Sequence, residues 1–116
     1  FMKYLYFKAM EKKEKLFISI YNDYYGCLLT EYQRGLIDGY YNLDMSLGEL
    51  AAENGISPQG VRDAIKRAEK QLTAYEEKLG LVKKSQKIKE LLEEVMGDCA
   101  PEEKAKLSKA IEILID

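Results

Sequence analysis

The chain has 116 residues, 47% of them apolar and 33% charged, which suffices for one hydrophobic core and excludes both intrinsic disorder and two independent domains. Two cysteines, Cys27 and Cys99, with no histidine, exclude a disulfide framework and a zinc site of ordinary ligand spacing, so reduced thiols and neither metal nor cofactor are expected. The net charge of −2 conceals a polarity: Ile56 to Lys89 holds nine basic and four acidic residues, whereas Glu11 to Gly55 holds four and eight and Glu90 to Asp116 three and eight. An acidic total therefore leaves an anionic partner open, because such a partner senses the local field.

The opening FMKYLYFKA has no apolar stretch of signal-peptide length, and nothing later approaches a membrane span, so a cytoplasmic protein without membrane insertion is expected. Phe1 before Met2, and Met10 just ahead of a charged helix, set residues 1–9 apart as an added extension or an alternative start. A helical domain is expected over residues 10–82 and a C-terminal helical extension over 83–116.

From Met10 to Tyr25, the residues Phe17, Ile20, Tyr21, Tyr24 and Leu28 recur at spacings of three and four, and Gly26 supplies a stop. Thr30-Glu31-Tyr32-Gln33 has the form of a capping box, so a second helix begins there, with Leu36, Ile37, Tyr40 and Tyr41 inward, and fades in Asn42-Leu43-Asp44. Ser46 with Glu49 three residues on caps a third helix that Gly55 ends. Ser57 caps a fourth, with Pro58 at the first helical position, where its missing N–H costs nothing. In that helix Val61, Ile65, Ala68, Leu72, Tyr75, Leu79 and Val82 alternate by four and three, a heptad seam that Gly80 weakens in its last turn. Ile88, Leu91, Leu92, Val95 and Met96 mark a fifth helix; after a break at Gly97 to Pro101, Leu107, Ala110, Ile111 and Leu114 mark a sixth.

Ala51, Gly55 and Val61 meet the steric demands of a helix-turn-helix: a small residue for close packing, a tight turn comfortable for glycine, and an apolar residue anchoring the second helix. With Val61 at zero on a wheel of about 100° per residue, Ile65, Ala68 and Leu72 fall within roughly 40° of it. Gln59, Arg62, Asp63, Lys66 and Lys70 lie between roughly 100° and 200°, on the other side. One face is core; the other is either merely solvated or presents donors to base edges and phosphates. Asp63 places a negative charge among the donors, and Gly60 offers no side chain near the entering end, so any affinity for duplex DNA is modest and steeply salt-dependent.

The segment LLTEYQRGLIDGYYNLDMSLGELAAENGISPQGVRDAIKRAEKQL, Leu28 to Leu72, resembles region 4 of bacterial sigma factors, whose pattern runs from leucine-threonine and an arginine to a helix-turn-helix ending in lysine-arginine-alanine. With IYNDYYGCLLTEYQR upstream and YEEKLGL downstream, it is more similar still to the YlxM family, small helix-turn-helix proteins of Gram-positive bacteria encoded beside signal recognition particle genes. The match covers Met10 to Leu81. The resemblance implies an all-α, sigma-region-4-like helix-turn-helix bundle, double-stranded DNA as partner, and a regulatory role in the signal recognition particle pathway. Carried over, the motif is Ser46 to Lys66, with Ser57, Gln59, Arg62, Asp63 and Lys66 at contact positions and Lys70 as a further phosphate contact from the wheel. Pro58 departs from the arginine more usual there and removes a cation.

Tyrosines of IYNDYYG and DGYY could stack on bases but sit at helical spacing that suits packing. No histidine, phosphate loop or isolated carboxylate pair points to catalysis. If the fourth helix outlasts its domain, Leu72, Tyr75 and Leu79 form a homodimer interface, unless the last two helices cover them. Two functions follow: a DNA-binding regulator, or a protein-interaction module that binds a signal recognition particle component and keeps the motif as scaffold.

Overall fold

A computed structural model of the chain describes residues 2–115, with side chains from residue 14 to residue 114. It is all-α, with no strand among the described residues: α1 Met2–Tyr25, α2 Glu31–Ile37, α3 Leu47–Asn54, α4 Pro58–Leu79, α5 Leu81–Met96 and α6 Pro101–Ile115. A 3₁₀ turn, Gly26–Leu28, follows α1, and a π turn, Asp38–Asn42, continues α2. The chain divides into two compact units between Lys78 and Leu79.

Local chemistry sets the helix ends. Thr30 Oγ1 accepts from the Gln33 N–H at 3.1 Å while Gln33 Oε1 accepts from the Thr30 N–H at 3.2 Å. Ser46 and Glu49 repeat the exchange at 3.0 and 3.4 Å. Both expected capping boxes are therefore formed, each worth about 1 kcal/mol to the helix it opens. Gly55 turns the chain at φ +67°, with open space where a Cβ would stand, so the backbone conformation and not crowding requires glycine there. Ser57 Oγ then accepts from the Gly60 N–H at 3.0 Å, opening α4 with Pro58 in its first position.

Three expectations are corrected. The first helix begins at Met2, not Met10, so residues 2–9 are helical in their backbone, while Phe1 lies outside the described residues. Gly80 at φ +62° ends α4 at Leu79 instead of weakening it, and buried Val82 belongs to α5. Leu72 is fully buried within the chain and Tyr75 half-buried, its ring 6.0 Å from that of buried Tyr25. Those two side chains are thus committed to the chain's own packing; of the expected seam only Leu79, 45% exposed, faces solvent.

In the first unit Tyr25, Leu36, Ile37, Leu50, Val61 and Leu72 are the largest fully buried side chains. Polar ties pin the long helices around them. Buried Asn22 on α1 donates Nδ2 to Asp38 Oδ1 at 2.6 Å, the same oxygen that Asn42 Nδ2 reaches at 3.2 Å, and Ser19 Oγ donates to Asn42 Oδ1 at 3.0 Å. The Tyr25 hydroxyl donates to Glu76 at 2.6 Å, joining α1 to α4, and the Tyr41 hydroxyl donates to Glu69, joining the π turn to α4. Burial, and then the bond and negative charge of Glu69, push the Tyr41 phenol well above the ordinary tyrosine range.

The π turn brings buried Gly39 against α3: a Cβ there would stand 2.7 Å from Leu50 Cδ2 and 3.3 Å from Met45 Sδ. Gly35, one turn earlier, has nothing within 4 Å. Gly39→Ala is therefore expected to destabilise by about 1–3 kcal/mol through overpacking against an immobile Leu50. Gly35→Ala should stabilise by about 0.5–1 kcal/mol as an exposed helical position; urea denaturation of the two variants reads opposite signs. The Tyr41 tie has its own signature. Because the folded state raises this pKa, the stabilisation is complete below the unfolded tyrosine value of about 10 and declines as pH rises beyond it. Urea denaturation at a series of pH values should show a fall in stability above about pH 10 that Tyr41→Phe diminishes.

Candidate nucleic-acid interface

The fourth helix divides cleanly by burial. Val61, Ile65, Ala68 and Leu72 are at most 4% exposed, so the hydrophobic effect fixes the roll of α4 about its axis. Gln59, Arg62, Asp63, Lys66 and Lys70 are all exposed on the opposite side, and Ser57 is exposed at the N-terminal cap. From Gln59 to Lys70 the helix rises about 16 Å, roughly three turns. That length lets the first two turns enter a major groove about 12 Å wide while Lys70 stays at its edge, near the phosphates.

The motif's first helix, α3, buries Leu50 and Ala51. A small side chain at Ala51, 5% exposed, is what close approach in a helix-turn-helix requires. The Ile56 N–H bonds back to Ala51 O at 3.1 Å across the Gly55 turn, closing the tight connection that sets the α3–α4 angle.

Electrostatics favour an anion on this face. Arg62, Lys66 and Lys70 have no acidic partner within ion-pair distance among the described residues. Gln59 Nε2 donates to Asp63 Oδ1 at 3.0 Å, which fixes the Gln59 amide and partly occupies the one carboxylate among the donors. Glu69, the next acidic residue along the helix, accepts from the Tyr41 hydroxyl and is half-buried. Among the described residues, three cations without an ion-pair partner thus face solvent beside two carboxylates that already hold donors, with Glu14 of α1 in the cleft that Arg62 and Lys66 line.

Arg62 and Lys66 also line a cleft of about 400 Å³ with Tyr40, Tyr41, Glu69 and Lys15. Lys15 comes from α1 and lies over the Tyr40 ring, its Nζ 5.6 Å from the centroid. Sequence reasoning missed this cation, and no local signal marks it: its place beside the recognition face depends on the packing of α1 against the π turn. The tyrosines of DGYY are accounted for by the same packing. Tyr40 and Tyr41 meet edge to face at 5.1 Å, and neither ring is exposed in the manner of a free stacking platform.

Among the described residues, no three His, Cys, Asp or Glu side chains are grouped to hold a metal ion, and no helix is long and apolar enough to cross a membrane. Cys27 and Cys99 are free thiols.

Comparison with known proteins matches this geometry to a family. The model of the UPF0122 family, described as "Putative helix-turn-helix protein, YlxM / p13 like", matches residues 10–112. A UPF0122 protein of Desulforamulus reducens is 56% identical over 77 residues, 66% of each chain. One from Caldanaerobacter subterraneus subsp. tengcongensis is 51% identical over 80 residues, covering 69% of this chain and 68% of its own, and one from a Thermoanaerobacter species is 49% identical with the same coverage. The chain spans about two thirds of the length of these relatives. With six helices, capped and turned as a helix-turn-helix requires, the chain belongs to the UPF0122 family of YlxM / p13-like helix-turn-helix proteins.

Proposed function

We propose that this protein is a non-enzymatic, DNA-binding regulator that reads duplex DNA with the outer face of α4. One observation carries the reading: a helix sealed on one side by Val61, Ile65, Ala68 and Leu72 leaves on the other three exposed cations that have no ion-pair partner among the described residues. Gln59 and Arg62, in the first turns, reach base edges. Lys66 and Lys70 reach phosphates, and Ser57 contributes its hydroxyl at the entering end. Asp63 holds Gln59 and limits affinity, which keeps binding dependent on charge and therefore on salt. The regulated genes are those of the signal recognition particle pathway, a step that the resemblance to YlxM supports.

A second reading, a protein-interaction module for a signal recognition particle component, draws on a different observation, the exposed apolar residues of α5. Binding to duplex DNA over a range of salt concentrations separates the two. Each phosphate contact contributes a slope of about −0.9 in log affinity against log salt, so Arg62→Ala combined with Lys66→Ala should flatten the slope by about one to two and weaken binding at least tenfold in low salt. An affinity and slope equal to those of the unaltered chain would remove α4 as the DNA-reading element.

A further inference from the structure

The second unit holds an apolar surface that its own two helices leave open. On α5, Leu81, Ile88, Leu91 and Val95 are between 44% and 56% exposed. At about 100° per residue they fall within roughly 80° of arc, a single stripe in which exposed Lys84 holds the position between Leu81 and Ile88. It lies beside the strip that carries buried Val82 and Ser85. Isolated exposed apolar residues need no explanation, but four in register along one helix mark an interaction surface. Their spacing, seven between Leu81 and Ile88 and seven again to Val95, is the repeat by which one helix packs along another.

The charges of α5 indicate what lies there. Its first half carries Lys83, Lys84 and Lys87, and its second half Glu90, Glu93 and Glu94, with Lys89 paired to Glu93 at 3.8 Å. A parallel neighbour of the same sequence would set lysines on lysines. An antiparallel one lays the basic half of each helix along the acidic half of the other, with the apolar stripe between them. In that arrangement the two-fold axis that an isologous contact requires passes near Ile88, and Lys84 of one copy comes within a turn of Glu94 of the other.

We infer that α5 is a homodimerisation helix, pairing antiparallel with α5 of a second copy of this chain through Leu81, Ile88, Leu91 and Val95. This inference is independent of the DNA reading. Where both hold, the dimer supplies two recognition helices to one duplex, as half-site readers require.

Sedimentation equilibrium tests it in three variants of the full chain. The unaltered protein should sediment at about twice 13.3 kDa; a monomer at high micromolar concentration overturns the proposal. Ile88→Glu should give a monomer with unchanged helical circular dichroism, since Ile88 is 44% exposed and supports no core; a surviving dimer overturns the stripe as interface. Lys84→Glu with Lys87→Glu should weaken the dimer at least tenfold at low salt, and adding Glu90→Lys with Glu94→Lys should restore it. Restoration is expected only when both halves belong to the same kind of chain in opposite directions, so a quadruple variant that stays dissociated rules out the antiparallel homodimer. A dimer indifferent to all these changes rules it out equally.

Discussion

The roll of α4 about its own axis is the constraint on which the remaining structure depends. Val61, Ile65, Ala68 and Leu72 recur at spacings of four, three and four and are buried almost completely; rotating the helix by one residue would exchange a buried valine for Arg62 or an isoleucine for Lys66. Uncovering four apolar side chains costs about 1.5–3 kcal/mol for each large one, and burying an unpaired cation costs more still. No contact on the outer face could offset that, so the core alone decides which side chains meet solvent. The polar face is a consequence of packing, and any reading of its function begins from the buried side.

What holds α4 against its neighbours is partly apolar and partly a set of tyrosine and amide bonds with little tolerance. Buried Tyr25 and half-buried Tyr41 send their hydroxyls to Glu76 and Glu69, two turns apart on α4. A tyrosine can do this because its body is apolar and its tip polar. Asn22 and Asp38 do the same between α1 and the π turn at 2.6 Å. Each of these bonds crosses between elements distant in sequence, so together they fix the angles that apolar packing leaves loose. The two carboxylates on α4 are thereby drawn toward the interior side, and the outer face keeps a surplus of positive charge.

The sequence made local features readable and long-range ones opaque. Both capping boxes, the Gly55 turn and Pro58 at the head of α4 were legible because their chemistry is confined to four or five consecutive residues. The buried set of α4 was legible because a helix of regular period leaves an unambiguous stripe. The π turn was not: Asp38–Asn42 reads as more of α2, and it sets Gly39 where a Cβ would stand 2.7 Å from Leu50 Cδ2, a neighbour whose position depends on the tertiary fold. Lys15, at the cleft beside Arg62 and Lys66, was invisible for the same reason. The heptad seam was read too far, since seven-residue spacing survives across Gly80 although the helix does not, and a period does not reveal which partner covers it. Leu72 is covered and Tyr75 half-covered within the chain.

Charge segregation ties the two proposed interfaces together. With a screening length of about 8 Å in physiological salt, a polyanion senses local charge and not the net charge of −2, and is attracted only where positive charge is concentrated and unpaired. Clustering Arg62, Lys66 and Lys70 on one exposed strip produces such a place, while Gln59 on Asp63 and Tyr41 on Glu69 dull the nearest negative charges. In α5 the same physics runs along the helix and not around it: lysines gather in one half and glutamates in the other, so an antiparallel copy is attracted and a parallel one repelled. Overall acidity then has a role in both, because it suppresses unspecific association of a chain that carries one apolar stripe and one basic strip, and confines attraction to partners that match their geometry.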